Sequence, residues 1–239
     1  MIIIILAAGE GKRMNSNIPK ILHIIKEKPM IVHVIEKALL LNPEKILVVV
    51  GKHYDSIKNN IDKFIDSEII DYCHQTIPNG TGGAILSTLD KIKDYKDVII
   101  LSGDVPLISY KTLYELNKFD NSLLITELNN PFGNGRIIFG NNNDITQIME
   151  EKDCNDEERK IQFVNCGIYK FQINVLMQLI PQIDNVNKNN EYYLTDIVKL
   201  CFENNILLNY HILDKLNQLE IHNINTQEDL KFVIEQISV

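Results

Sequence analysis

The chain has 239 residues, 45% of them hydrophobic and 23% charged, a globular balance that can fill one α/β core, alone or with a small attached lobe. A formal net charge of -8 excludes a general nucleic-acid surface, which needs clustered Lys and Arg, so a phosphate partner must be met by a local pocket. Cys73, Cys154, Cys166 and Cys201 show neither close pairing nor zinc-ligand spacing and read as reduced thiols. Residues 1–8 lack the basic leader and apolar length of a signal peptide, and no stretch reaches membrane-spanning length; the expected compartment is the cytoplasm, with no membrane partner.

Ile2–Leu6 is a β-branched run and reads as a buried first strand. Its carboxyl end opens into Ala7-Ala8-Gly9-Glu10-Gly11-Lys12-Arg13-Met14, at the end of a strand where α/β sheets bind ligands. Gly9 and Gly11, beside small alanines, let the backbone approach a triphosphate with its amides turned inward as an anion nest, and Arg13 and Lys20 add fixed positive charge. The segment lacks the third glycine of the dinucleotide fingerprint and the Gly-Lys-Ser/Thr ending of a P-loop, so it fits neither. Pro29 stands where a first helical turn tolerates it, and Ile31, Val34, Ile35, Ala38 and Leu39 recur at helical spacing through Leu41. Asn42-Pro43 ends that helix; a second strand over 46–50, a helix over about 56–65 and a third strand over 69–73 follow. The alternation predicts a parallel sheet with right-handed crossovers.

Gln75 opens a loop containing Pro78, Asn79, Gly80, Thr81, Gly82 and Gly83 before a helix over 84–89. Such a cluster either sets amides and a hydroxyl beside a ligand or makes a plain turn with Thr81 as helix cap. A strand over 98–101 leads to Ser102-Gly103-Asp104-Val105-Pro106-Leu107, which puts Asp104 on the same rim as Arg13. The second half departs from alternation: a strand over 123–127, then a hairpin from 137–139 and 145–150, the kind of β addition that forms a lobe over a sheet edge and receives a second substrate. Residues 153–160 read as a solvated loop or surface helix, 185–190 as a polar, mobile segment able to close over that substrate, and 206–212 as a strand. Asn223-Ile224-Asn225-Thr226 precedes a last amphipathic helix to about Ile237. There is no internal repeat, and in particular no hexapeptide repeat of the kind that builds a left-handed β-helix.

The segment Leu6-Ala7-Ala8-Gly9-Glu10-Gly11-Lys12-Arg13-Met14 with Pro19-Lys20 resembles the signature Leu-x-Ala-Gly-x-Gly-x-Arg-Met, then Pro-Lys, of the sugar-nucleotidyltransferases. Leu22-His23 agrees with the N-acetylglucosamine-1-phosphate uridyltransferase branch, the N-terminal half of the bacterial bifunctional UDP-N-acetylglucosamine synthesising enzymes. The resemblance covers nearly the whole chain. It implies the nucleotide-diphospho-sugar transferase fold, a Rossmann-like α/β fold with a mostly parallel mixed sheet flanked by helices and a small β-rich sugar-binding lobe. The implied organisation is a single nucleotidyltransferase domain over 1–239, with a nucleotide part over about 1–125, a sugar part over about 126–225 and a C-terminal helix over 226–239.

The resemblance also implies roles. Arg13, Lys20 and Asp104 are catalytic, and Asp104 and Asn225 hold Mg²⁺, an ion suited by hard oxygen ligands. Leu6, Ala7, Ala8, Gly9, Gly11, Gln75, Gly80, Thr81, Ser102 and Gly103 bind the nucleotide, and the Gln75 amide offers both a donor and an acceptor to the uracil edge. Gly135, Glu150, Asn165, Tyr193 and Thr195 meet the sugar's hydroxyl and acetamido groups. The chain departs from the pattern at Ile77 and Pro78, usually polar, at Gly83, usually His, and at Asn223 and Thr226, usually Gly and Asn.

The expected reaction joins UTP and N-acetylglucosamine 1-phosphate to give UDP-N-acetylglucosamine and pyrophosphate, in a stand-alone monomer or small homo-oligomer without the acetyltransferase β-helix. The alternatives are a pyrophosphorylase for another sugar 1-phosphate or nucleotide, such as glucose 1-phosphate with UTP or dTTP, and a catalytically silent subunit that binds sugar nucleotide as a signal. Arg13, Lys20 and Asp104 together speak against the silent subunit.

Overall fold

A computed structural model describes residues 1–237; positions 238 and 239 of the expected C-terminal helix lie outside the described residues. β1 (Ile2–Leu6) is central, paired in parallel with β2 (Lys45–Val50) on one side and β4 (Asp97–Ser102) on the other, and β2 pairs in parallel with β3 (Ile70–His74). Strand side chains alternate between faces, and here both faces are covered, so an uninterrupted apolar run is what the position requires. Ile3 and Ile5 pack with α1 (Met30–Leu39), α2 (Tyr54–Ile61) and α4 (Tyr110–Leu116). Ile2 and Ile4 pack on the opposite face with α3 (Thr81–Leu86), α5 (Ile173–Leu179) and α6 (Asp196–Glu203). Each fully buried isoleucine contributes roughly 1.5–3 kcal/mol.

The remaining strands of this sheet are β5 (Ser122–Glu127), β6 (Arg136–Phe139), β7 (Ile145–Met149), β8 (Phe163–Gln172) and β9 (Asn209–Leu213), and a separate two-stranded ribbon pairs Ile24–Ile25 with Lys28–Pro29. The sheet order is β9-β5-β8-β4-β1-β2-β3, and β8 alone on that path runs antiparallel to its neighbours. The β6–β7 hairpin forms as expected, but it joins the sheet through Arg136 opposite Val164 of β8. The lobe therefore hangs from an interior strand and not over the sheet edge.

Other boundaries also shift. α2 ends at Ile61, short of 65; α3 starts at Thr81, because Gly82 and Gly83 lie inside it; and β9 begins at Asn209. α4, β8 and α5 are additions that the apolar periodicity did not reveal; α4 is capped by Ser109, whose hydroxyl accepts the Thr112 N–H at 3.1 Å. A third apolar cluster, of Met14, Ile25, Met30, Ile224, Leu230 and Val233, docks α7 (Gln227–Gln236) against the segment after β1. All four cysteines are buried and free, and burial pushes the Cys201 thiol up to about 12. Among the described residues no helix is long and apolar enough to cross a membrane.

Candidate active site

The phosphate rim forms where β1 and β4 end side by side: Leu6 pairs with Ser102, and the Gly103 N–H donates to the Leu6 carbonyl at 2.9 Å. Past β1 the chain turns at Gly11, whose φ of +61° is the left-handed region. A Cβ there would lie 2.6 Å from Lys20 Cβ, so glycine is required twice over. No intrachain bond claims the amides of Gly9, Glu10 and Gly11 among the described residues. A single 3-10 turn, Lys12–Met14, then buries Met14 in the cluster under α7, and the Gln227 amide donates to the Met14 carbonyl at 3.1 Å.

This anchoring brings four side chains together. Lys20 Nζ lies 2.5 Å from Asp104 Oδ2 and 3.0 Å from Asn225 Oδ1, and Arg13 Nη2 donates to the same Asn225 oxygen at 3.0 Å. The Ser102 hydroxyl donates to Asp104 Oδ1 at 2.6 Å. Asn225 owes its place to the start of α7. There Thr226 and Asp229 form a capping box, and Asp229 Oδ2 accepts the Asn225 N–H at 2.9 Å and the Thr226 N–H at 2.8 Å. On the flank of the loop, Glu10 binds Lys52 at 2.8 Å and Lys12 at 2.9 Å, and these partners lower its carboxyl to about 2.

The loop from Gln75 to Gly83, expected to meet the nucleotide, is organised by something the sequence did not reveal, the backbone of residues 191–194. The Gly82 N–H donates to the Tyr192 carbonyl at 2.7 Å, the Tyr192 N–H to the Asn79 carbonyl at 2.8 Å, and the Leu194 N–H to the Thr81 hydroxyl at 3.0 Å. A Cβ at Gly80 or Gly82 would run into the Tyr192 carbonyl. The small residues thus admit a close backbone approach, and Gly80, not Thr81, caps α3. Gln75 sits at the end of β3 with both amide hydrogens engaged, on Asn79 Oδ1 at 3.1 Å and on the Gly80 carbonyl at 3.0 Å. Its expected donor is therefore already taken.

Four of the residues expected on the sugar side meet although they come from distant segments. Asn165 N–H donates to the Gly135 carbonyl at 2.9 Å, and the Thr195 hydroxyl donates to Glu150 Oε1 at 2.8 Å. A Cβ on Gly135 would stand 3.6 Å from Glu150 Oε1 and 3.7 Å from Asn165 Cβ. Thr195 precedes α6 but makes no side-chain cap there; its hydroxyl serves Glu150 instead. The Asn165 side chain spans Tyr169, donating at 2.7 Å, and the Gly167 N–H, accepting at 3.1 Å.

Burial pushes the Glu150 carboxyl up against the Thr195 hydrogen bond. Burial, with Asp153 and Glu150 nearby, pushes the Tyr193 hydroxyl up to about 12, and burial with Asp184 and Glu150 pushes Asp196 up to about 6. Residues 185–190 are tied down: Lys152 donates to the Asn189 side chain at 2.7 Å and the Lys188 N–H to Asp153 at 3.0 Å. At the hairpin base, Arg136, 1% exposed, donates to Glu151 at 2.6 Å.

A largely parallel α/β sheet whose central strand ends in a glycine turn, faced by two cations and a carboxylate, defines a class of protein that handles phosphate groups at its strand ends. The family model described as nucleotidyl transferase matches residues 2–216, and the chain belongs to that family of enzymes. It is 46% identical to a probable UDP-N-acetylglucosamine pyrophosphorylase of Acanthamoeba polyphaga mimivirus, over 99% of this chain and 95% of that protein. It is 38% identical to the bifunctional protein GlmU of Legionella pneumophila subsp. pneumophila over 96% of this chain, and spans 50% of that longer protein. In fold it is similar to the crystal structure of an apo UDP-glucose pyrophosphorylase, with a TM-score of 0.79 at 17% identity, covering 99% of this chain and 97% of that one.

Proposed function

We propose that the protein is a UDP-N-acetylglucosamine pyrophosphorylase, transferring UMP from UTP to N-acetylglucosamine 1-phosphate with release of pyrophosphate. The observation that carries this reading is the convergence of Lys20, Arg13, Asp104 and Asn225 at the mouth of the glycine turn. The mimivirus relative named for this sugar nucleotide supports the choice of substrates.

A sugar 1-phosphate is largely dianionic near neutral pH, its second pKa lying at about 6, so its oxygen can attack the α-phosphorus without a general base. The chain has to align two anions and offset their charge. The free amides of Gly9, Glu10 and Gly11, with Arg13 and Lys20, are placed to take the charge of the departing pyrophosphate. Glu150, Thr195, Asn165 and the Gly135 backbone offer acceptors and donors for sugar hydroxyl and acetamido groups, and the buried Tyr193 lines the same side.

Asp104 Oδ2 and Asn225 Oδ1 already converge on one cation, the Lys20 ammonium. Two hard oxygens suit Mg²⁺, which takes its other ligands from water and substrate phosphates, and among the described residues no cluster of three His, Cys, Asp or Glu offers a fuller cage. Asp104 and Asn225 would hold that ion, which when bound offsets charge on the reacting phosphates. The test is a panel of sugar 1-phosphates against the common nucleoside triphosphates, read by pyrophosphate release. UTP with N-acetylglucosamine 1-phosphate is expected to be the fastest pair. Faster turnover of glucose 1-phosphate, or of dTTP, overturns the assignment of substrates, and ligand binding without any pyrophosphate overturns the assignment as an enzyme of this reaction.

A further inference from the structure

Gln75 donates both hydrogens of its amide within the loop, to Asn79 Oδ1 and to the Gly80 carbonyl. A backbone carbonyl can only accept, so Gly80 fixes which way the Gln75 amide is turned; Asn79, facing the same nitrogen, must then present its oxygen. What Gln75 has left to offer a ligand is the acceptor Oε1. Asn79 holds its position because residue 83 is glycine: a Cβ on Gly83 would overlap Asn79 Oδ1 and lie 2.6 Å from Asn79 Cγ. The Asn79 backbone is clamped as well, its N–H donating to the Ile77 carbonyl at 2.9 Å and its carbonyl accepting from Tyr192 at 2.8 Å.

We infer that Asn79, seated by Gly83, is a positioning residue for base selection: together with the Gly80 carbonyl it holds Gln75 with its acceptor outward, so the site takes a pyrimidine that carries a ring N3–H and disfavours cytosine, whose N3 is a lone pair. The inference rests on the proposed reading of Gln75 as the base contact. It differs from that reading in making selectivity depend on a side chain four residues further on, together with the absence of a side chain at 83. Uracil and thymine both carry N3–H, so this device separates UTP from CTP and not UTP from dTTP.

The experiment compares UTP with CTP in steady-state turnover and, separately, in calorimetric binding, with thermal melting to confirm that each variant folds. Asn79→Ala removes one of the two acceptors holding Gln75; it should raise KM for UTP more than it lowers kcat and reduce the UTP-to-CTP preference about five- to tenfold, the size of one neutral hydrogen bond. Asn79→Asp keeps an acceptor oxygen and should restore the preference. Gly83→Ala, which displaces the Asn79 amide, should lose the preference to a similar extent, and the double variant Asn79→Ala with Gly83→Ala should be no worse than either single change.

A UTP preference that survives Asn79→Ala overturns the inference while leaving the proposed reaction standing, and so does a double variant whose losses multiply. If the sugar nucleotide is not formed at all, the proposed reaction falls, and the binding ratio of UTP to CTP across the same variants still decides the role of Asn79.

Discussion

The phosphate rim and the sugar side are held by opposite means. At the rim, opposite charges are paired in place: Lys20 on Asp104, with Asn225 shared between Lys20 and Arg13. On the sugar side like charges gather, and burial with the neighbouring Glu150 and Asp184 pushes Asp196 up to about 6 while a neutral hydroxyl, Thr195, serves Glu150. A region with excess negative charge repels phosphate and favours groups that donate hydrogen bonds, whereas the rim holds cations ready for an anion. On the proposed function, that contrast would draw the substrates' phosphates to the rim and leave the sugar ring to the other side.

The sharpest way to break that contrast is at the rim. Asp104→Asn removes the charge that organises Lys20 and should lower pyrophosphate release on the order of 10²-fold or more with circular dichroism unchanged. Near-normal turnover would show that the rim does not act through this carboxylate. Thr226→Ala is a softer probe of the same rim: losing the helix cap costs about 1 kcal/mol of stability, visible in denaturant unfolding. Because the cap also fixes Asn225, turnover should fall as well, though less than for Asp104→Asn.

Across the site, Thr195→Val strips Glu150 of its hydroxyl donor and should raise KM for the sugar phosphate several-fold, by about one hydrogen bond, while KM for UTP stays put. An equal rise in both would mean that the two sides are not separate in function. The smallest effect is on stability. Asp196 is raised in the folded protein to about 6 from an ordinary 3.8, so the native state binds its proton more tightly than the unfolded chain does. The stability this gives is fully present below pH 4 and lost as pH rises through 6. Asp196→Asn should accordingly raise Tm at pH 7.5, by an amount that shrinks toward zero as the pH approaches 4.

The rim was the more legible half because its chemistry is written in contiguous segments. A β-branched strand must end somewhere, and the two glycines and Arg13 that follow Ile2–Leu6 lie at that end by covalent connection alone. Asp104 followed from the same logic applied to β4. Asn225 was harder, since it lies 212 residues beyond Arg13 and reaches the rim only through the capping box that directly follows it and an apolar cluster that joins Met14 to Leu230. On the sugar side no local pattern says that Thr195 turns to Glu150 and not to its own helix, or that Tyr192 zips onto Gly82.

β8 was not foreseen because Asn165, Gly167 and Lys170 interrupt its apolar pattern. Each has a tertiary reason: Asn165 bridges Tyr169 and Gly167, Gly167 takes φ +71°, and the buried Lys170 donates to the Asn117 carbonyl at 3.0 Å. Gln75 is expected from the sequence to contact the base, but the direction of its amide is set by neighbours whose role is visible only in three dimensions.

β8 also has a mechanical meaning. It is laddered to β5 on both sides of a register shift, at Phe163–Asn165 and at Tyr169–Lys170, and its last four residues, Tyr169 to Gln172, are also laddered to β4, whose end leads to Asp104. One continuous stretch of backbone thus ties the Gly135–Glu150–Asn165–Thr195 cluster to the strand that leads to Asp104, acting as a splint that fixes the spacing between the two groups of residues. The splint has a braced joint: the ladder slips register between Asn165 and Tyr169, and the Asn165 side chain spans that break, donating to Tyr169 and accepting the Gly167 N–H.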